Sequence, residues 1–392
     1  MLVGIVGAPN KGKSTLFSAL TMNEVAIADY PFTTIKPNLG VAYATKKCVH
    51  EELGVKCTAR NSLCVKGTRM LPINIVDVAG LVEGAHAGKG MGNQFLNDLA
   101  SADALIMVVD ASGKTDSAGN KTEGSNPIND VKIINEELVQ WLAQIIKKHT
   151  NTISKRSDGA AALHEVLASM KATPSDIEKA ANSAHLSTNR PNWSDSDIYL
   201  FAKELLKLTK PSIIAANKSD VEGSQKNIDS LIKEFGKEIV IPCSGAIELA
   251  LRKATKINFI EYIPGSSTFS LLDKDLSDDR LNALKRMQDF LKQKGTNVQE
   301  IINTVTFKLL DNIVVYPVED ESKYTDHFGH VLPDAILVKR GSTASDLAAA
   351  IHTDLAKSML YAVDARTKMR IAKDHILKDN DIIKIVSAAK PK

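Results

Sequence analysis

Residues Gly7 to Ser14 read Gly-Ala-Pro-Asn-Lys-Gly-Lys-Ser, a Gly-x-x-x-x-Gly-Lys-Ser pattern set directly behind the apolar run Leu2–Val6. An apolar helical spacing, Leu16, Phe17 and Leu20, follows it. The two glycines let the backbone curl so that the N–H groups of the stretch Asn10, Lys11, Gly12, Lys13, Ser14 and Thr15 face a polyphosphate. The Lys13 ammonium reaches the outer phosphates, the Ser14 hydroxyl is placed for Mg²⁺, and the helix N-terminus adds a positive field. Such a loop needs a buried parallel sheet to hold it.

The rest of that sheet is legible. Leu71–Val76, Ala104–Val109, Ser212–Ala216 and Ile239–Pro242 have the length and continuous apolarity of strands covered on both faces, and the alternating run Leu39–Ala44 suits an edge. Two further signatures each stand behind a strand. Asp77-Val78-Ala79-Gly80 offers a carboxylate to hold the metal, through water, and a Gly80 N–H for a γ-phosphate. Asn217-Lys218-Ser219-Asp220 is suited to read guanine: the Asp220 carboxylate can accept from N1–H and the 2-amino group, two donors that adenine lacks. Lys218 can lay its aliphatic stem along the base, and Asn217 can tie neighbouring loops together. Ser244, Gly245 and Ala246, after the last strand, offer backbone N–H groups to the guanine O6. Alone, the shorter motifs also occur as ordinary turns; their order behind successive strands is what makes the set specific.

A block of helices interrupts the sheet. Ile134, Leu138, Trp141, Leu142 and Ile145 share one helical face, Leu163 to Met170 suggest a second helix, Thr173-Pro174-Ser175-Asp176 caps a third, and Ile198, Phe201, Leu205 and Leu208 mark a fourth. The expected division is a nucleotide domain over 1–303, with a helical insert at about 128–210 and a helical extension at about 265–303. A small α+β domain over 304–392 follows it. Its expected strands are Val305–Leu309, Ile336–Val338, Leu360–Val363 and Ile382–Val386, with a helix capped by Thr343 that carries Leu347, Ile351 and Leu355 on one face.

At 392 residues with 44% hydrophobic and 24% charged content, the chain has ample material for a core and is not a disordered or fibrous one. The net charge of +3 is too small to argue for a nucleic acid or an anionic surface. Four cysteines make no disulfide framework. No apolar run is long enough to span a membrane, and Met1–Val6 lacks the marks of a signal peptide, so a cytoplasmic protein is expected.

The motif set resembles the translation-associated GTPases of the YchF branch of the Obg family, in the form that carries a helical insert and a C-terminal TGS domain. The segments that carry the resemblance are Gly7–Thr15, Tyr30-Pro31-Phe32-Thr33-Thr34 through Pro37-Asn38-Leu39-Gly40, Asp77–Asn93, Asp110-Ala111-Ser112-Gly113 and the tail Val338–Val386. The implied fold is α/β: a Ras-like P-loop NTPase domain with a mostly parallel sheet and helical insert, followed by a β-grasp TGS domain. The resemblance implies that Thr34, with Thr33 as its rival, closes onto Mg²⁺ and the γ-phosphate. Leu81 stands where Ras-like proteins carry a water-orienting glutamine, which leaves His86, in a glycine-rich loop, as the implied catalytic group; an exposed loop histidine without that role is the alternative. Asn10 matches an asparagine that helps hold K⁺ in potassium-stimulated relatives. Gly245 stands where alanine is commoner, which keeps the backbone donor and loosens the loop.

Some YchF relatives replace the guanine-reading motif and prefer ATP. This chain keeps Asn217, Lys218 and Asp220, so GTP and GDP are the expected ligands, with Mg²⁺ as cofactor, K⁺ as a second cation and slow intrinsic hydrolysis. The alternatives are an ATP-preferring hydrolase and a nucleotide-dependent RNA- or ribosome-binding module with negligible turnover. The ribosome or an RNA is the expected partner through the TGS domain and the insert, helped by a tail from Lys357 to Lys392 with nine Lys/Arg against four Asp. Cys48, His50, Cys57 and Cys64 lie close together, but their irregular spacing, with no Cys-x-x-Cys pair, favours reduced, unpaired thiols over zinc.

Overall fold

A computed structural model describes residues 1–22, 38–78, 99–156, 158–189, 192–273 and 276–388. Among these the chain forms two compact units. One is built mainly from Met1–Met22 and Asn74–Ile301, the other from 42–73 together with Ile302–Lys392 as far as residue 388. The contiguous division expected from the sequence, at about 303, differs in the segment 42–73, which clusters with the C-terminal part of the chain.

The first sheet contains β1 (Leu2–Val6), β2 (Leu39–Lys47), β3 (Cys64–Val65), β4 (Thr68–Asp77), β5 (Ala104–Asp110), β6 (Ser212–Asn217) and β7 (Val240–Pro242), in the order β2-β4-β1-β5-β6-β7 with β3 on β4. The pairs β1–β4, β1–β5, β5–β6 and β6–β7 are parallel. The central strands are the apolar runs, and β5 is buried along its whole length, as a strand covered on both faces must be. Register aligns the functional strand ends: Ile5 lies opposite Asp77, Val6 opposite Met107, Asp110 opposite Asn217 and Ala216 opposite Pro242. The loops that follow these strands therefore emerge at one edge, the C-terminal edge where open α/β sheets bind ligands.

The inserted helices, Pro127–Ser154, Gly159–Leu167, Pro174–Ser183 and Asp195–Thr209, share one hydrophobic core with the sheet. Trp141, Leu142, Leu163, Phe201 and Leu205 join Val6, Leu105, Met107 and Val109 in it. Thr173 and Ser194 each close a reciprocal capping box, which fixes where two of these helices begin.

In the second unit β8 and β9 play no part; that two-stranded pair (Ile260–Glu261 and Ser270–Leu271) belongs to the first. The second unit's sheet runs β11-β10-β14-β12-β13, from β10 (Asn312–Val318), β11 (Ile336–Lys339), β12 (Met359–Asp364), β13 (Met369–Ile371) and β14 (Asp381–Ser387). The helix Ala344–Ile351, with Thr343 as capping-box residue, packs Leu347 and Ala348 against it. Two expectations change here. Val305–Leu309 is not a strand: Thr304–Leu309 continues the preceding helix as a π-turn, with Leu310 N–H donating to Val305 O at 3.0 Å and Thr306 Oγ1 to Ile302 O at 2.7 Å. Its β-branched residues read as a strand but are buried in helical backbone, and the strand itself begins at Asn312, past Asp311 in the left-handed region. Leu355 does not sit on the Thr343-capped helix; His352 ends that helix and caps a new one, Thr353–Ser358.

Candidate nucleotide site

The loop after β1 enters the helix α1 (Lys13–Thr21) through two left-handed residues, Asn10 at φ 59° and Gly12 at φ 91°. A Cβ at Gly12 would lie 2.3 Å from Asn217 Nδ2, so only glycine permits the backbone of this loop to approach the neighbouring one. Lys13 is largely buried and its Nζ donates to Ala8 O at 3.0 Å, folding the ammonium back over the loop. Burial lowers the Lys13 pKa, and the Asp77 carboxylate opposes that shift.

Ser14 Oγ donates to Asp77 Oδ2 at 3.0 Å, joining the phosphate loop to the end of β4. Burial pushes the Asp77 carboxyl up, against the pull of Ser14 and Lys13. Its other oxygen, Oδ1, is buried with no hydrogen-bond partner among the described residues. A buried carboxylate oxygen without a donor beside a serine hydroxyl is a donor set that suits a hydrated hard cation, so the residues present fit Mg²⁺.

Asn217 is the junction between loops. Its Nδ2 donates to Lys11 O at 3.1 Å, and its Oδ1 accepts from Gly245 N–H at 3.0 Å. The expectation that Asn217 ties loops together describes its side chain directly. Lys218, at φ 63°, sends Nζ to Asn10 O at 3.1 Å and to Asp110 Oδ2 at 2.8 Å. Asp110, fully enclosed at the end of β5, also accepts from the Ser112 N–H and hydroxyl and from Thr115 Oγ1. Burial would raise its pKa, but the hydrogen bonds from Lys218, Ser112 and Thr115 hold it below the ordinary carboxylate value. Asp220 is exposed just beyond this network.

The other sequence-read residues of these loops have the following surroundings. The Lys11 side chain is fully buried and faces away from solvent into an ion pair with Asp130 at 2.8 Å, and it donates to Thr115 O at 2.9 Å. Only its backbone is left for a phosphate. Of the backbone donors after β7, Ser244 N–H goes to Thr296 O and Gly245 N–H to Asn217. Ala246 N–H is the one of the three without a partner among the described residues, as expected of an uncapped first-turn N–H in the helix Gly245–Lys256; Ser244 caps that helix through Ile247. A Cβ at Gly245 would meet Asn217 Oδ1 at an ordinary 3.4 Å, so glycine is not sterically required there. The Asn10 amide donates Nδ2 to Gly119 O at 2.9 Å.

Asp110 and Asp130 were not among the expected site residues. Asp110 carried the same signal as Asp77, a carboxylate ending a parallel strand. Asp130 carried none, since its partner is remote in sequence. Thr33, Thr34, Gly80, Leu81 and His86 lie outside the described residues. No helix among the described residues is long and apolar enough to cross a membrane.

Three family models match the chain: a 50S ribosome-binding GTPase over residues 2–155, the G4 motif-containing domain of YGR210-like Obg-like GTPases over 215–320, and a TGS domain over 328–387. An uncharacterized GTP-binding protein of Methanocaldococcus jannaschii is 49% identical over 99% of this chain and 100% of its own length. The crystal structure of a GTP-binding protein from Pyrococcus horikoshii superposes with a TM-score of 0.80 at 38% identity, covering 99% of this chain and all of that one. The Obg-like ATPase 1 of Rattus norvegicus is 32% identical over 69% of this chain and 68% of its own. With the phosphate loop, the Asn217 junction and the β-rich C-terminal unit all in place, the chain belongs to the Obg-like GTPase family, and its C-terminal segment matches the TGS domain.

Proposed function

We propose that this protein binds GTP with Mg²⁺ and hydrolyses it slowly to GDP and phosphate, as a switch read by the ribosome or another RNA-bearing partner. The observation that carries the reading is the interlock of loops. Asn217 and Lys218, from the base-reading segment, hold the backbone of Lys11 and Asn10 in the phosphate loop. A base seated against Asp220 and a triphosphate seated against Lys13 would thus be measured by one rigid gauge. Asp220, exposed and outside the network, is free to accept from guanine, while Ala246 N–H is free to donate to its O6. Adenine would present no donors to Asp220 and an amine to Ala246 N–H.

Mg²⁺ would be held by Ser14 and, through water, Asp77, where it supplies charge neutralisation for the phosphoryl group. Lys13 neutralises the outer phosphates. Thr34, or Thr33, is proposed to close on the metal and γ-phosphate, and His86 to orient the attacking water that Leu81 cannot; Gly80 would donate its N–H to the γ-phosphate. His86→Ala is expected to lower turnover with little change in GTP affinity; turnover at the parental rate would remove it from the mechanism. Asn10 Oδ1 is proposed to contribute to K⁺ binding, a role checked by comparing turnover in potassium with that in sodium. The tail's basic surplus supports an RNA-facing role, although Arg366 and Lys384 are already paired with Glu52 and Glu321.

A second reading, an ATP-preferring hydrolase, draws support from the likeness to a protein named an ATPase. Steady-state phosphate release from each nucleotide, abolished in Lys13→Ala, separates the two and excludes a purely structural ligand.

A further inference from the structure

The segment between β2 and β4 brings together four side chains that the nucleotide site does not use. Cys48 follows β2, His50 opens the short helix His50–Leu53, Cys57 lies in the irregular stretch 55–63, and Cys64 begins β3. The three sulfurs and an imidazole nitrogen all lie within 4.8 Å of one another, and Cys64 Sγ sits 3.5 Å from His50 Nδ1. Cys48 is buried and the other three half-buried. All three cysteines are free thiols.

We propose that Cys48, His50, Cys57 and Cys64 form a structural zinc site. The edge of a tetrahedron of sulfurs around zinc is about 3.8 Å for Zn–S bonds of ~2.3 Å, so the ligand atoms need move only a few tenths of an ångström each to enclose the ion. Three thiolates and one imidazole are a common closed zinc set, and with four protein ligands no position is left open for chemistry. A mixed sulfur–nitrogen tetrahedron with these bond lengths suits zinc better than the oxygen-seeking Mg²⁺.

The surroundings fit the charge that results. Three thiolates, a neutral imidazole and Zn²⁺ sum to −1. Beside them Arg69 is fully buried, lies over the Tyr316 ring and, among the described residues, donates to the carbonyl oxygens of Ser62 at 2.5 Å and Leu332 at 2.8 Å. Its Nε has no partner among the described residues, and its charge acts on the Cys48 sulfur. Asp334, whose field it shares, is already occupied by Asn61, Ser62 and the Ala335 N–H. An anionic metal centre would add to the negative field around this guanidinium. The metal also has a structural task. The stretch 55–63 has no regular secondary structure of its own and is held to the second unit by hydrogen bonds such as Thr58 N–H to Val331 O, Arg60 N–H to Pro333 O and Ser62 Oγ to Asp334. A four-ligand ion would clamp both of its ends. Sequence spacing argued against this site because none of its ligands form a Cys-x-x-Cys hairpin; the fold closes the distance by returning the chain from β2 to β3.

The test uses the full-length protein. Metal content is measured after purification and gel filtration, and the chelator-stripped, reduced protein is then titrated with Co²⁺ and Zn²⁺. The expected result is one zinc per chain, and a cobalt form with the intense visible bands and thiolate charge transfer of a tetrahedral site. Cys57→Ser and His50→Ala are expected to weaken zinc by about a hundredfold or more. The unsubstituted protein carries the cobalt test, so a variant that fails to fold does not decide it. Absence of stoichiometric zinc after reconstitution, an octahedral cobalt spectrum, unchanged affinity in folded Cys57→Ser, or thiols found paired as a disulfide before reduction would each overturn the proposal.

Discussion

Lys11 and Asp130 show how much of the phosphate loop's geometry rests on single buried groups. Both side chains are essentially inaccessible, and their ion pair fixes the loop from its buried side. Removing one partner strands a buried charge, so Asp130→Ala is expected to lower stability by about 3–5 kcal/mol in urea unfolding, more than a contact at an exposed site could. Asn217→Ala would orphan both Lys11 O and Gly245 N–H, at about 1–3 kcal/mol, and loosen nucleotide binding at the same time. Asp110 supplies a pH dependence. Its folded-state pKa lies below the ordinary 3.8, so the stability it confers is present above that value and is lost as pH falls through the folded one. The difference in urea midpoint between the parent and Asp110→Asn should therefore be full near neutrality and shrink below about pH 4. A constant difference would show that the Lys218–Asp110 pair is not what Asp110 contributes.

Among the elements, the turn from β1 into α1 is the least tolerant. Gly12→Ala places a methyl against the Asn217 amide in a left-handed backbone position, and its expected effect is loss of measurable GTP binding with the fold retained by circular dichroism. This element was legible in the sequence because everything it needs is local: a strand, two glycines, a lysine and a helix. The strand-end carboxylate Asp77 and the Asn217–Asp220 segment were legible for the same reason. What lay beyond reading was set by remote contacts. Thr115, which takes the Lys11 ammonium, is 104 residues away, and no local pattern shows that this lysine turns inward. Val305 and Thr306 have the composition of a strand, yet burial against their own unit keeps them helical. The strand Asn312–Val318, whose apolar run Ile313 to Tyr316 is fully buried at the interior of the sheet, lies beyond the expected Val305–Leu309. The irregular spacing of Cys48, His50, Cys57 and Cys64 gives no hint that the fold brings their ligand atoms within 4.8 Å of one another.

For the molecule as a whole, membership of the Obg-like family and the TGS match frame a nucleotide-controlled binder, and the proposed partner dependence has a direct check. Co-sedimentation with purified ribosomes should differ between the GTP-bound and GDP-bound protein, and it should weaken with salt if the tail's lysines and arginines meet phosphates. Binding insensitive to the nucleotide would leave the enzyme without a switch. Base choice is the central claim for the nucleotide site. Calorimetric titration of the Mg²⁺ complexes of GTP and ATP into the parent protein and Asp220→Ala tests it most directly. Two hydrogen bonds to a charged acceptor correspond to about a hundredfold in affinity, so GTP should bind the parent that much more tightly than ATP and lose the advantage in the variant. Equal binding of both nucleotides by the parent, or GTP affinity unchanged in Asp220→Ala, would contradict it.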